Sequence, residues 1–132
     1  MSGYVQSNQI VRLPELVAYS INASDSGKIM ITPQTSGTSF IYTLPLGLHY
    51  RFINGATLAL NGYVEIATSG GVGIYGSVIC GPDNGMQFKS IQGDLTITFQ
   101  SGTSIEGDFI DLVSDGITWY LDGRSQTAGG IL

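Results

Sequence analysis

Residues able to do chemistry gather most visibly in GDFIDLVSDGITWYLDG, residues 107–123. This stretch sets Asp108, Asp111, Asp115 and Asp122 beside the single tryptophan, Trp119. Two carboxylates facing each other across a bond would make a glycosidase pair. The spacing points elsewhere. Residues 108–114 alternate as a strand, with Ile110 and Leu112 on one face and Phe109, Asp111 and Val113 on the other. Asp115-Gly116 is a tight-turn signal, residues 117–121 return, and Asp122-Gly123 opens a further turn. Asp108 and Asp111 then lie on opposite faces and cannot form a dyad within this hairpin. Only a distant Glu65 or Glu106 could supply a facing acid.

The remaining reactive groups are few. His49 is the single histidine, too few for a multi-histidine zinc site, and no Gly-x-Ser-x-Gly elbow exists to pair with it in a hydrolase. Cys80 is also alone, so no intrachain disulfide or cysteine zinc site forms. A Cys80–His49 nucleophile pair is formally available, but a buried, inert thiol is the plainer reading. Asp83-Asn84 in CGPDNG offers too few oxygens for calcium. GGVGIYG (70–76) lacks the Lys-Ser/Thr ending and the helix of a phosphate loop, and reads as a strand with a bulge where glycines let backbones approach. No cofactor and no metal are expected.

The elements that must position these groups are strands. From residue 17 onward, segments rich in Ile, Val, Thr, Phe and Tyr recur: VAYSIN, KIMIT, SFIYTL, LHYRFIN, YVEIA, VGIYGSVI, MQFKSI, DLTITF, DFIDLVS and TWYLD. Turn signals at Asn54-Gly55, Asn61-Gly62, Gly70-Gly71, Asn84-Gly85 and Asp115-Gly116 separate them. Period-two alternation places Tyr50, Phe52 and Asn54 against His49, Arg51 and Ile53, and Leu95, Ile97 and Phe99 against Thr96, Thr98 and Gln100. About ten short strands imply an all-β fold, a compact antiparallel sandwich or barrel of jelly-roll type, with no solenoid-length repeat apparent. Residues 17–132 form this single domain. Residues 1–16 read as an extended arm whose Tyr4, Val5, Ile10, Val11, Leu13 and Leu16 lie against the body or another chain.

Bulk properties narrow the function. Of 132 residues, 11% are charged, and the net charge is −5. Five scattered Lys and Arg make no basic patch, which disfavours nucleic acid and anionic membrane surfaces. The start MSGYVQSNQIV is not read as a secretory signal, and no apolar run is long enough to span a bilayer. Trp119 and Tyr120 are candidate surface aromatics for stacking on a sugar.

Three pieces in order carry a family resemblance: SINASDSGKIMIT, then SFIYTLPLGLHYRFI, then GDFIDLVSDGITWYLDGRSQTAGGI. Together they resemble the head-decoration, or cement, proteins and related virion surface proteins of tailed bacteriophages. The matching positions are the turn at Asp25–Lys28, the stretch Thr43–Phe52, the hairpin at Gly107–Tyr120 and the small-residue tail at 128–131. The middle of the chain, residues 61–85, departs from that pattern. The resemblance implies a small β-protein without enzymatic activity. It implies a homotrimer on the outer surface of a viral capsid, with the major capsid protein as partner. A receptor- or glycan-binding module of a tail or fibre is the alternative.

Overall fold

Each of the ten apolar segments becomes a strand, and one strand more lies within the arm. The computed structural model describes residues 9–34, 37–45, 48–58, 62–81 and 87–132. The strands are β1 (Ile10–Arg12), β2 (Ala18–Ser20), β3 (Ile29–Thr32), β4 (Phe40–Thr43), β5 (His49–Asn54), β6 (Val64–Ala67), β7 (Ile74–Cys80), β8 (Gln87–Asp94), β9 (Thr96–Phe99), β10 (Phe109–Ser114) and β11 (Trp119–Ser125). They form two sheets, of order β1-β3-β5-β10-β11-β7-β8 and β2-β4-β6-β9. The fold is all-β, a sandwich of two sheets around one core.

The pairing inside the sandwich differs from the antiparallel expectation. β1–β3, β3–β5, β2–β4, β4–β6 and β7–β11 are parallel. The pairs β5–β10, β10–β11, β6–β9 and β7–β8 are antiparallel. The first six strands alternate between sheets, odd in one and even in the other. The chain therefore winds as a flattened coil. A parallel pair needs a long crossover, commonly a helix; here each crossover among β1 to β6 is a strand of the opposite sheet. Registered partners such as Ile29–Arg51 and Ile41–Glu65 lie 22 and 24 residues apart. The β10–β11 hairpin then inserts between β5 and β7 and ends the winding.

Period-two alternation decides what is buried. Tyr50, Phe52, Ile110, Leu112, Trp119 and Leu121 point inward from the seven-stranded sheet, and Phe40, Tyr42, Val64, Ile66, Ile97 and Phe99 from the four-stranded one. Trp119 lies against Tyr50, ring centroids 6.5 Å apart. It is 0% exposed, so it is not a surface aromatic. Its indole N–H has no hydrogen-bond partner among the described residues, and burying such a group unpaired costs about 1–3 kcal/mol.

Two glycine positions explain why strands approach so closely. Gly76 on β7 has φ +155, and a Cβ there would strike the backbone of Leu121 on β11. The β7–β8 register also shifts at Ile74/Tyr75, as the bulge reading of this segment required. Asp122-Gly123, by contrast, is no turn. It lies within β11, where a Cβ on Gly123 would crowd Ile110 and Val78. Glycine is needed there for packing rather than for a turn.

The arm is partly core. Ile10–Arg12 pairs with β3, the Leu13 amide donates to the Ile31 carbonyl, and Leu13 is buried. The Tyr42 hydroxyl donates to the Pro14 carbonyl at 2.7 Å. Val11 is half-buried, while Ile10 and Leu16 are exposed. Tyr4 and Val5 lie outside the described residues.

Candidate docking face

The outward side chains of the seven-stranded sheet fall into three rows, because registered neighbours share a face. One row runs Arg12, Ile31, Ile53, Phe109, Arg124, Ile79, Phe88 across all seven strands. It is apolar apart from its two arginines, and Phe88 on the edge strand β8 is 75% exposed. The middle row is polar: Arg51, Asp111, Asp122, Ser77 and Ser90 follow Ile10 and Ile29. The third row is His49, Val113, Tyr120, Tyr75 and Gln92. All five of its members are exposed. The outer face of the four-stranded sheet differs, with Ala18, Ile41, Glu65 and Thr98 in one row and the small or hydroxylated Ser20, Thr43, Ala67 and Thr96 in the other.

The acidic groups sort by row and depth. Asp111 accepts a bond from His49 Nε2 at 3.0 Å and lies 3.7 Å from an Arg51 guanidinium nitrogen. That guanidinium sits 4.8 Å above the Phe109 ring. Asp122 faces Asp111 in register on the neighbouring strand. The turn reading of Asp122 concealed this cross-strand pair. Glu65 lies on the other sheet opposite Thr98, and Glu106 sits in the loop before β10, so neither faces these acids.

Ser26 completes a serine–histidine–aspartate set by residue type, but not by geometry. Its Oγ meets the main chain of His49, accepting from the amide at 3.3 Å, while the imidazole is engaged with Asp111. Cys80 is buried on the inward side of β7, three strands from β5, so it does not meet His49. Among the described residues, no group of three or more His, Cys, Asp and Glu is placed to hold a metal. Asp83 and Asn84 lie outside the described residues.

Asp108 is the acid that sequence reading left without a role. It is 1% exposed and is met entirely by hydrogen-bond donors. Oδ2 accepts from Ser104 Oγ (2.8 Å), Ser125 Oγ (2.9 Å) and the Ile105 amide (3.2 Å); Oδ1 accepts from the Gln126 amide (2.9 Å). Asn54, also fully buried, donates to Ser104 Oγ at 2.8 Å and to the Ile105 carbonyl. This knot ties the ends of β5 and β11 to the loop between β9 and β10. The tail closes it: Gly130 packs so tightly on Ser125, Thr127 and Asp108 that a Cβ has no room, and Ile131 is buried beside Phe99. The small-residue tail is thus a latch.

Among the described residues, three groups titrate away from their ordinary range. Burial raises Tyr42 and Tyr50, whose hydroxyls donate to the Pro14 and Asn22 carbonyls. The amides of Ile117 and Thr118 hold Asp115 below its ordinary 3.8. Asp115 Oδ1 accepts from both, at 2.9 and 2.8 Å, and so builds the β10–β11 turn that its sequence predicted.

The outer apolar row does not show in the aromatics taken singly. Its signal was available: KIMIT and FIDLV are apolar on both faces, which a strand with one wet face does not need. No family model, curated protein or solved structure matches this chain.

Proposed function

We propose that this chain is a non-enzymatic structural protein of a virus particle, a decoration protein that docks on the outer capsid surface through its seven-stranded sheet. The observation that carries the reading is the apolar row from Ile31 to Phe88. Such a row on an open sheet face is the kind of patch that marks a protein contact. The segments that resemble phage decoration proteins contribute to the same face: Asp25–Lys28 leads into β3, Thr43–Phe52 into β5, and Gly107–Tyr120 supplies β10 and the start of β11.

The size of the face explains the need for many copies. Seven strands about 4.8 Å apart and about six residues long give the whole face an area on the order of 600 Å², of which the apolar row is about a third. A standard stable interface takes about 800 Å² per partner. One copy therefore holds weakly, and linked copies hold well, because later contacts become intramolecular. Self-association as a homotrimer, implied by the resemblance, supplies that linkage. Binding to the assembled shell alone stabilises the shell by mass action.

The test is gold-labelled antibody against this protein on purified particles, read by electron microscopy. Label distributed over heads is expected. Label confined to tails or fibres, or absent from particles, overturns the assignment. The double variant Ile79→Ser, Phe88→Ser is expected to lower head attachment at least tenfold with the β domain still folded. Undiminished attachment removes the apolar row as the docking element.

A further inference from the structure

The third row of the same face holds a feature that protein docking does not require. Tyr75 on β7 is 46% exposed, and its ring is seated across two glycines. A Cβ on Gly73 would lie 3.1 Å from Cε1, and one on Gly93 would lie 3.2 Å from Oη and 3.9 Å from Cε2. The ring therefore spans the two glycines, Cε1 beside Gly73 and the hydroxyl end beside Gly93, with nearly half of the residue open to solvent. Gly93 has φ +80 at the bulged end of β8, a conformation that excludes larger residues. Tyr120 is the registered neighbour of Tyr75, 50% exposed, and its hydroxyl is tied to Asp115 Oδ2 at 3.4 Å. Asp115 is itself fixed by two backbone amides. Two tyrosine rings are thus oriented in advance, which lowers the ordering cost of binding.

Polar groups border the rings. Gln92 lies beside Tyr75 in the row, its amide donating to Ser90 Oγ at 3.1 Å, and Ser77 and Asp122 occupy the next row. We propose that Tyr75 and Tyr120 form a platform for a neutral oligosaccharide. The C–H face of a sugar ring stacks on Tyr75, and its hydroxyls meet Gln92, Ser77 and the Asp122 carboxylate. Charge selects the class. Asp122 borders the platform with no cation opposite it in register, whereas Asp111 is paired with His49 and Arg51, and the chain carries −5 overall, so a neutral sugar is favoured over an anionic one. Tyr75, which sequence analysis did not select, replaces the buried Trp119 as the stacking residue. The platform does not depend on the particle assignment, since the apolar row lies on the far side of the polar row.

The experiment is a glycan array carrying neutral and acidic oligosaccharides, probed with wild-type protein and with Tyr75→Ser, followed by NMR titration of the best-retained glycan. The expected result is retention of neutral glycans, shifts of the Tyr75 and Tyr120 ring signals, and about tenfold weaker binding by Tyr75→Ser, the effect of about 1.4 kcal/mol of lost stacking. Phe88→Ser should bind as wild type does. Retention of no glycan, preference for acidic glycans, or binding unchanged in Tyr75→Ser overturns the proposal. If Tyr75→Ser loses capsid attachment and no glycan is retained, the row belongs to a protein contact instead.

Discussion

Asp108 and Asp111 stand three residues apart and meet opposite fates. Asp108 turns inward at the entry to β10, is 1% exposed, and takes hydrogen bonds from two serines and two backbone amides. Asp111 turns outward three residues later and shares its charge with His49 and Arg51 at the half-exposed surface. Both satisfy the rule that a carboxylate needs partners, by different means. Inside, fixed donors replace water, and each one is needed, because a donor left unpaired there has nowhere else to bond. Outside, water and salt compete with the ion pairs, so the pairs are worth little. Sequence proximity and equal chemistry therefore say nothing about energetic weight; depth and the number of fixed donors do.

The largest effect that would break this comparison comes from Asp108→Ala. It strands Ser104, Ser125 and the amides of Ile105 and Gln126 without their acceptor, and loosens the tail latch through Gly130. The expected loss is about 3 kcal/mol or more, the range for disrupting a buried polar network. Urea unfolding should show the midpoint fall with an unchanged slope. A loss below about 1 kcal/mol would mean that the knot is redundant and the contrast false.

Sequence reading reached the strands but not their partners. All ten apolar segments became β2 to β11, and the face-sharing sets Tyr50/Phe52/Asn54 and Ile97/Phe99 were read from period two alone, while Leu95, grouped with the latter, precedes β9 and is exposed. The same alternation holds for parallel and antiparallel pairing, so it could not show that β1, β3 and β5 run parallel. The coil left no repeat to find, since its turns differ in length and share a pattern rather than residues. β1 was hidden because three residues are too few for a periodic signal. Asp122-Gly123 misled for a physical reason: Asp-Gly has turn chemistry, but glycine was there to admit Ile110 and Val78. The docking face was legible only in part. Tyr120 was read as a candidate surface aromatic alongside Trp119, which is buried, whereas Tyr75, Phe88 and the pairing of Asp111 with Asp122 required the order of strands, which is set by contacts distant in sequence.

Asp111→Ala sharpens the comparison from its other side. The His49 and Arg51 side chains that lose this partner are themselves about half exposed and rehydrate on release. The expected cost is about 0.5 kcal/mol at low salt, vanishing at high salt as screening takes over. A loss approaching that of Asp108→Ala would show that the outer row is rigid and contributes to the fold.

Asp115 is intermediate in kind and gives the smallest effect. Like Asp108 it accepts from backbone amides, and like Asp111 it is open to water. The Ile117 and Thr118 amides favour its charged form, so its folded pKa lies below 3.8. The stabilising contribution is therefore present above the unfolded value and is lost as pH falls through the lower, folded one. An NMR titration of the side-chain carboxyl should give a midpoint below 3.8, and Asp115→Asn should remove the matching acid-dependent step in stability while keeping the turn through its amide oxygen. A midpoint at or above 3.8 would mean that the two amides bond to water rather than to Asp115. Tyr120 would then lose the anchor that orients its ring, and the outer row would be ordered by the strands alone.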